Sequence, residues 1–409
     1  MRFDLLLRSG HVIDPANGID EGRDVAVAGG RVAAVDARIP PEQAARVIDV
    51  NGLYITPGLV DIHVHLYATP GNPQGWAGDK SVLPDGFSFR AGTTTMVDTG
   101  SAGYRNLPDF RNRVLDRFQT RTYALVNIVG LGMTMTAAEQ NVYDMDPEAC
   151  ARVAREHADV VVGLKCAHYI PPDWTQVDRV LQAGEQAEMP VMVDFGFFKR
   201  ERPYYELVGS RLRPGDISTH VYRGPGPCVD ADGRLLPYLP AARERGVLFD
   251  LGHGAGSFCF RNAAPCVEQG FWPDSISTDL HHSSMNLGML DMPTTMSKFL
   301  AMDMPLADVV RLSTVEPARV INRPEHGTLS VGAAADVAVL RLEEGRFGYM
   351  DSFDGRLFGD RRLLCELTLK DGEVVWDWNA RSGTDYRELP PTYGIRDQEE
   401  LIMPPATSS

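Results

Sequence analysis

Between residues 57 and 323, short apolar runs alternate with helix-length amphipathic stretches about eight times, a rhythm that few folds accommodate. The candidate strands lie at 59–65, 94–98, 123–129, 160–165, 190–195, 216–220, 247–251 and 275–279. Helical stretches at 108–118, 147–157, 173–188 and 307–313 fall between or after them. Strands that are apolar throughout, rather than at every second residue, are buried on both faces, which calls for a parallel sheet covered by helices. Eight such units over this length suit a (β/α)8 TIM barrel of the α/β class, with a doubly wound open sheet as the alternative. The polar residues choose between the two. His63, His65, Asp98, Asn127, Lys165, Asp194, His220 and Asp279 each stand at or near the C-terminal end of a candidate strand. Barrel strands bring those ends to one mouth, whereas an open sheet strings them along an edge, so the barrel is expected.

The two chain ends follow a different grammar. Runs at 4–14 and 24–36, punctuated by Asn17-Gly18 and Gly29-Gly30, read as hairpins, and the pattern returns at 332–340 and 363–376 with Asp371-Gly372 at the turn. The expected organisation is a small β-sandwich built from both ends (1–56 and 324–378), the (β/α)8 barrel at 57–323, and an extended tail at 379–409 that could wrap a neighbouring subunit.

Composition narrows the partners. A chain with 44% hydrophobic and 23% charged residues is a folded, soluble protein rather than a disordered one or a coiled coil. A formal charge of −15 with no basic run argues against nucleic acid and anionic membrane surfaces. No apolar stretch approaches the ~20 residues of a membrane span, and the first nine residues are too short for a signal-peptide core, so a cytoplasmic location is expected. Six cysteines without a CxxC pair indicate reduced thiols. The expected partners are a small-molecule substrate and further copies of the chain.

Along Asp61-Ile62-His63-Val64-His65, strand alternation points both imidazoles to one side, where they can share one metal ion. An HxH pair alone is a weak signal. Set in TPGLVDIHVH (56–65), it resembles the first barrel strand of the amidohydrolase superfamily of metal-dependent hydrolases. The resemblance covers nearly the whole chain, because members pair the barrel with a sandwich made from both ends. Within the superfamily, GLK (163–165), STH (218–220), DLGHG (250–254) and SISTD (275–279) are most similar to the dihydroorotase-like amidohydrolase/deacetylase group. The resemblance implies metal ligation by His63, His65, Lys165, His220 and Asp279, with Lys165 carboxylated. It also implies two divalent ions, zinc being expected and a single ion, manganese or iron being the alternatives. On strand 5 it implies a histidine, but PVMVDFG (190–196) carries Asp194 there. Asp194 is expected to remain a ligand; orientation of water or substrate, or loss of one metal, are its alternatives.

Chemistry supports these residues separately. Lys165 closes the apolar run 160–164, where a buried ammonium costs several kcal/mol or loses its proton. The neutral amine can add carbon dioxide and become N6-carboxylysine, an anionic oxygen donor; a lysine snorkelling to solvent is the alternative. Asp279 can ligate a metal and accept the proton of an attacking water, or simply cap the following helix. His253, in the glycine-rich loop 252–258, is the second catalytic candidate, where it and nearby backbone amides could polarise the scissile carbonyl or bind a carboxylate. Arg223 suits a substrate carboxylate through its bidentate fork, with Tyr222, His168 and Tyr67 as further substrate contacts and 70–76 as a lid. His281 and His282 read as a solvated loop pair, and Met285, Met289, Met292 and Met296 as core filling.

The reading that follows is a metal-dependent hydrolase cleaving an amide or ester bond of a small acylated amino or hydroxy acid, or of a cyclic amide. Two alternatives stand beside it: a non-catalytic assembly protein with a degenerate metal site, and a deaminase or lyase variant.

Overall fold

The computed structural model describes residues 2–68, 80–224, 226 and 228–394, so the lid at 70–76 and the tail beyond 394 lie outside the described residues. Seven parallel strands, Leu59–Val64, Thr93–Gly103, Arg121–Asn127, Val161–Cys166, Val191–Val193, Ile217–Ser218 and Leu248–Phe249, follow one another in chain order across a single curled sheet. The eighth stretch, 275–280, does not form a regular strand. It still pairs in parallel on both sides, Ser275 with Asp250 and Leu280 with Val64, and so closes the (β/α)8 barrel. Backbone N–H groups of Leu251, His253 and Gly254 donate to the carbonyls of Ser275, Ser277 and Thr278. The hydroxyls of Ser275 and Ser277 donate to Asp250 and that of Thr278 to Asp61, which ties the segment in further.

Inside the barrel, Val60, Ile62, Val97, Leu125, Val162, Met192 and Ile217 pack into an apolar plug, as the alternation along each strand requires. The outer layer is helical. Pro147–Glu156 starts at Asp146, whose side chain accepts from the backbone of Glu148 and Ala149, and it buries Cys150, Ala151, Val153 and Ala154 against the sheet. Thr175–Ala187 does the same with Val177, Val180, Ala183 and Ala187. Met289, Met292 and Met296 are buried in the same layer. With the plug filling the lower half, the strand C-termini stand above it as the rim of a cup.

The second unit is one mixed sheet of eight strands drawn from both chain ends. Tyr54–Pro57 sits at its centre, pairing in parallel with Phe3–Asp14 and antiparallel with Val337–Met350, which joins the halves. Leu5, Leu7, Val25, Ile48, Val337 and Leu367 form its core. The hairpin of Val337–Met350 and Arg356–Lys370 runs much further than the apolar runs of the sequence, because charged residues continue as a two-stranded ribbon in solvent. Its tip reaches the barrel rim. Asp351 accepts from the Phe260 amide at 3.0 Å, Ser352 Oγ from the Phe258 amide at 3.2 Å, and Met350 O from Lys298 Nζ at 2.8 Å. All six cysteines are free, and no described helix is long and apolar enough to cross a membrane.

Candidate metal centre

A cavity of about 310 Å³ opens at the barrel mouth, and His63, His65, Lys165, His168, Asp194, His220, Arg223 and Asp279 all line it. Eight of the residues singled out from sequence therefore share one pocket. His63, His65 and Asp279 come closest together, each offering one donor atom within 4.8 Å of the others. Asp279 Oδ1 lies 3.2 Å from His65 Nε2 and 3.8 Å from His63 Nε2. It forms no well-aligned hydrogen bond, as expected of an oxygen aimed at a shared cation.

Both imidazoles are fixed from behind. His63 Nδ1 faces Asp250 Oδ2 at 3.1 Å and Thr219 Oγ1 at 2.9 Å, while His65 Nδ1 meets Ser101 Oγ at 2.9 Å. Asp250 also accepts from Ser275 and Ser277, and Asp98 accepts the backbone N–H groups of Ser101 and Leu66. A proton donated from Nδ1 to such an acceptor puts the lone pair on Nε2, the atom that a metal would take. Burial and the nearby Lys165 push His63 down to about 3, which keeps its ring neutral. Burial alone would raise Asp279, but His65, His63 and His281 outweigh it and hold the carboxylate ionised. This set of two imidazole nitrogens and one carboxylate oxygen suits a divalent transition metal such as zinc.

Lys165 is almost completely buried, with Nζ 3.5 Å from His63 Nε2 and 3.4 Å from Met192 Sδ. Burial lowers its pKa despite the acids around it, so a neutral amine is accessible. His220 is anchored through Nδ1 to Gly252 O at 2.6 Å and turns Nε2 toward Asp194 Oδ2 at 3.4 Å. Asp194 Oδ1 in turn makes an ion contact of 3.0 Å with Arg223 Nη1.

Backbone geometry sets these side chains. His168, His220 and Asp279 leave their strands with φ of 56°, 60° and 50°, a left-handed conformation costing on the order of 1–3 kcal/mol each. Two glycines make the required room. A Cβ on Gly252 would stand 2.6 Å from His220 Nδ1, and one on Gly254 would stand 2.3 Å from Asp279 Oδ2.

Three sequence expectations are not met by this geometry. His253 is wholly buried, stacked on Phe258, with Nε2 2.5 Å from Lys298 Nζ, so it faces away from the cavity and polarises nothing there. Tyr222 donates its hydroxyl to Phe271 O at 2.6 Å inside the helical layer. Tyr67 packs on Phe110 and donates to Asp109 at 2.8 Å, also outside the cavity. His281 departs in the other direction. It is buried beside His65 and caps the short helix His282–Met285, rather than standing in solvent. The sequence reading missed Asp250 as the support of His63, Glu139 behind His168, Ser257 beside Arg223, and Phe353, which reaches the cavity from the hairpin tip. The DLGHG motif contained Asp250, but its acid was passed over for its histidine.

Comparison with known proteins agrees with the geometry. The model of the Amidohydrolase family matches residues 260–374. Deacetylase Atu3266 of Agrobacterium fabrum is 34% identical over 341 residues, covering 80% of this chain and 81% of that one. A deacetylase of Brucella anthropi is 32% identical over 334 residues, covering 79% and 80%. Among solved structures, an adenine deaminase superposes with a TM-score of 0.81 at 25% identity, covering 92% of this chain and 100% of that one. A dihydroorotase does so with 0.79 at 29%, covering 91% and 99%. The resemblance carried by TPGLVDIHVH is borne out: this chain belongs to the amidohydrolase family of metal-dependent hydrolases acting on carbon–nitrogen bonds.

Proposed function

We propose that this hydrolase removes the acyl group from a small acylated amino or hydroxy acid, a cyclic amide being the nearest alternative substrate. The observation that carries the reading is the convergence of His63 Nε2, His65 Nε2 and Asp279 Oδ1 in a cavity that Arg223 also lines. His63, His65 and Asp279, with His220 and a carboxylated Lys165, would hold a divalent cation, zinc by donor chemistry, which would supply a nucleophilic water at neutral pH and polarise the scissile carbonyl. Asp279 takes the proton of the attacking water and returns it to the leaving nitrogen or oxygen. Arg223, its Nη2 held 3.1 Å from Ser257 Oγ, presents a guanidinium to the carboxylate of the substrate. Met133, Phe197 and Phe353 give the same cavity an apolar wall for the remainder of the molecule. The names of the two deacetylases support an acetyl group as the acyl portion. Fold alone does not select the reaction, since structures with this barrel include a deaminase as well as a dihydroorotase.

The test is a screen of N-acetyl amino acids, O-acetyl hydroxy acids and cyclic amides with protein purified without chelator. Turnover of at least one class, abolished by chelation and restored by zinc, is expected. Turnover that persists in metal-free protein contradicts the reading, as does inertness toward all three classes in metal-loaded protein. For Lys165, intact mass should show an adduct of one carbon dioxide that is lost on acidification.

A further inference from the structure

We propose that Asp194 is a positioning residue that anchors Arg223 and His168 at the pocket wall, rather than a ligand of the metal. The inference rests on the reading of His63, His65 and Asp279 as the metal centre.

The two acids of the pocket differ in what surrounds them. Asp279 Oδ1 faces imidazole nitrogens whose other ring atoms are already bound, which is a ligand's environment. Asp194 stands outside that close group: its Oδ1 faces the Arg223 guanidinium, and its Oδ2 lies between His168 and His220, the latter already held through Nδ1 by Gly252 O. Oδ1 meets Arg223 Nη1 at 3.0 Å, and Oδ2 meets His168 Nε2 at 3.3 Å and His220 Nε2 at 3.4 Å. His168 is fixed from the far side by the buried Glu139, whose Oε1 lies 2.9 Å from Nδ1. With a carboxylate at each ring nitrogen, His168 is held as a double donor. The result is a row of alternating charge, Glu139, His168, Asp194, Arg223, in which Asp194 Oδ1 meets the guanidinium as an ion pair without a well-aligned hydrogen bond. A second divalent cation at Asp194 would enter next to the Arg223 guanidinium, which already faces Oδ1, and would have to displace it.

The surrounding chain is shaped for this contact. A Cβ on Gly196 would stand 3.1 Å from Arg223 Nη1 and 3.5 Å from Asp194 Oδ1, so the bare glycine lets the guanidinium settle against the carboxylate. Ser257 takes the other end of the fork at 3.1 Å from Nη2. Held at two points, Arg223 has a fixed direction toward the cavity, and an anionic substrate meets a guanidinium that need not be reoriented on binding.

The test is zinc titration of metal-free Asp194→Asn against the unsubstituted protein, with the visible spectrum of the cobalt(II) forms and steady-state kinetics. Zinc stoichiometry and affinity within threefold of the original, an unchanged cobalt spectrum, and KM for an acyl acid raised about tenfold with kcat changed less, support the anchor role. The carboxamide counterpart of the same substrate should show no such rise. Loss of a zinc equivalent, an affinity drop of tenfold or more, a changed spectrum, or an equal KM rise for acid and carboxamide overturns it. Should Asp194→Asn not fold, a map of the zinc-loaded unsubstituted protein decides: Asp194 oxygens beyond roughly 3 Å from every zinc support the anchor, and oxygens at bonding distance overturn it. Absence of zinc at His63, His65 and Asp279 sinks the functional reading itself, an outcome distinct from zinc bound there with Asp194 ligating.

Discussion

One wall of the pocket holds His63 and His65, and the opposite wall holds His168; all three are pocket-lining histidines, yet their nitrogens are used differently. In the first two, Nδ1 is bound by Asp250 or Ser101, and Nε2 is left facing Asp279 and the cavity. In His168 both nitrogens face carboxylates, Glu139 at 2.9 Å and Asp194 at 3.3 Å, and together these acids raise it to about 10 against the opposing effect of burial. A ring with one satisfied nitrogen has a lone pair to give; a ring with two acidic neighbours is a cation. The role of a buried histidine is thus written in the partner of its second nitrogen, not in its distance from the pocket.

Four substitutions probe that division. Asp279→Asn should lower kcat by about a thousandfold, within the range for loss of a positioned acid–base group, and steady-state kinetics would read it. Asp250→Asn leaves every pocket side chain in place but removes the negative charge behind His63 and turns one accepting oxygen into an NH2 donor, so zinc affinity should fall by roughly 10- to 100-fold in a competition titration. Gly254→Ala puts a methyl group 2.3 Å from Asp279 Oδ2 at a residue with φ of 56°. It should cost about 2 kcal/mol in denaturant unfolding and weaken zinc binding as well.

The smallest effect belongs to an imidazole outside the pocket. His326 Nε2 lies 2.8 Å from the Tyr123 hydroxyl, and burial together with Arg121 lowers its pKa from 6.5 to about 4. Between those values the unfolded chain binds the proton and the folded one does not. His326 therefore costs nothing above pH 6.5 and removes stability as pH falls toward 4. His326→Gln should flatten that acid limb by roughly 1–2 kcal/mol in urea melts at pH 4.5, while leaving zinc affinity unchanged.

Much of this was legible in the sequence because it rests on period. Continuous apolar runs and intervening helices gave the barrel, and the HxH spacing placed two imidazoles on one strand face. Lys165, His220 and Asp279 ended up in the same pocket because strand ends meet at a barrel mouth whatever their separation along the chain. What period does not encode is rotation after a strand ends. His253 lies four residues beyond Phe249, the end of its strand, where His220 lies two beyond Ser218, and the chain turns at Gly252 and sends the ring toward Lys298. Tyr222 and Tyr67 were placed by proximity to a histidine, and both spend their hydroxyls elsewhere. Phe353 could not be found from the barrel pattern at all, since a charged ribbon with no apolar alternation carries it from the other domain to the rim.

The metal content of purified protein compared across three variants is the most direct measurement. His63→Gln and His65→Gln should lose bound zinc, while His253→Gln, whose ring faces Lys298, should keep it. Zinc retained in the first two, or lost to the same degree in the third, would contradict a centre built on His63, His65 and Asp279.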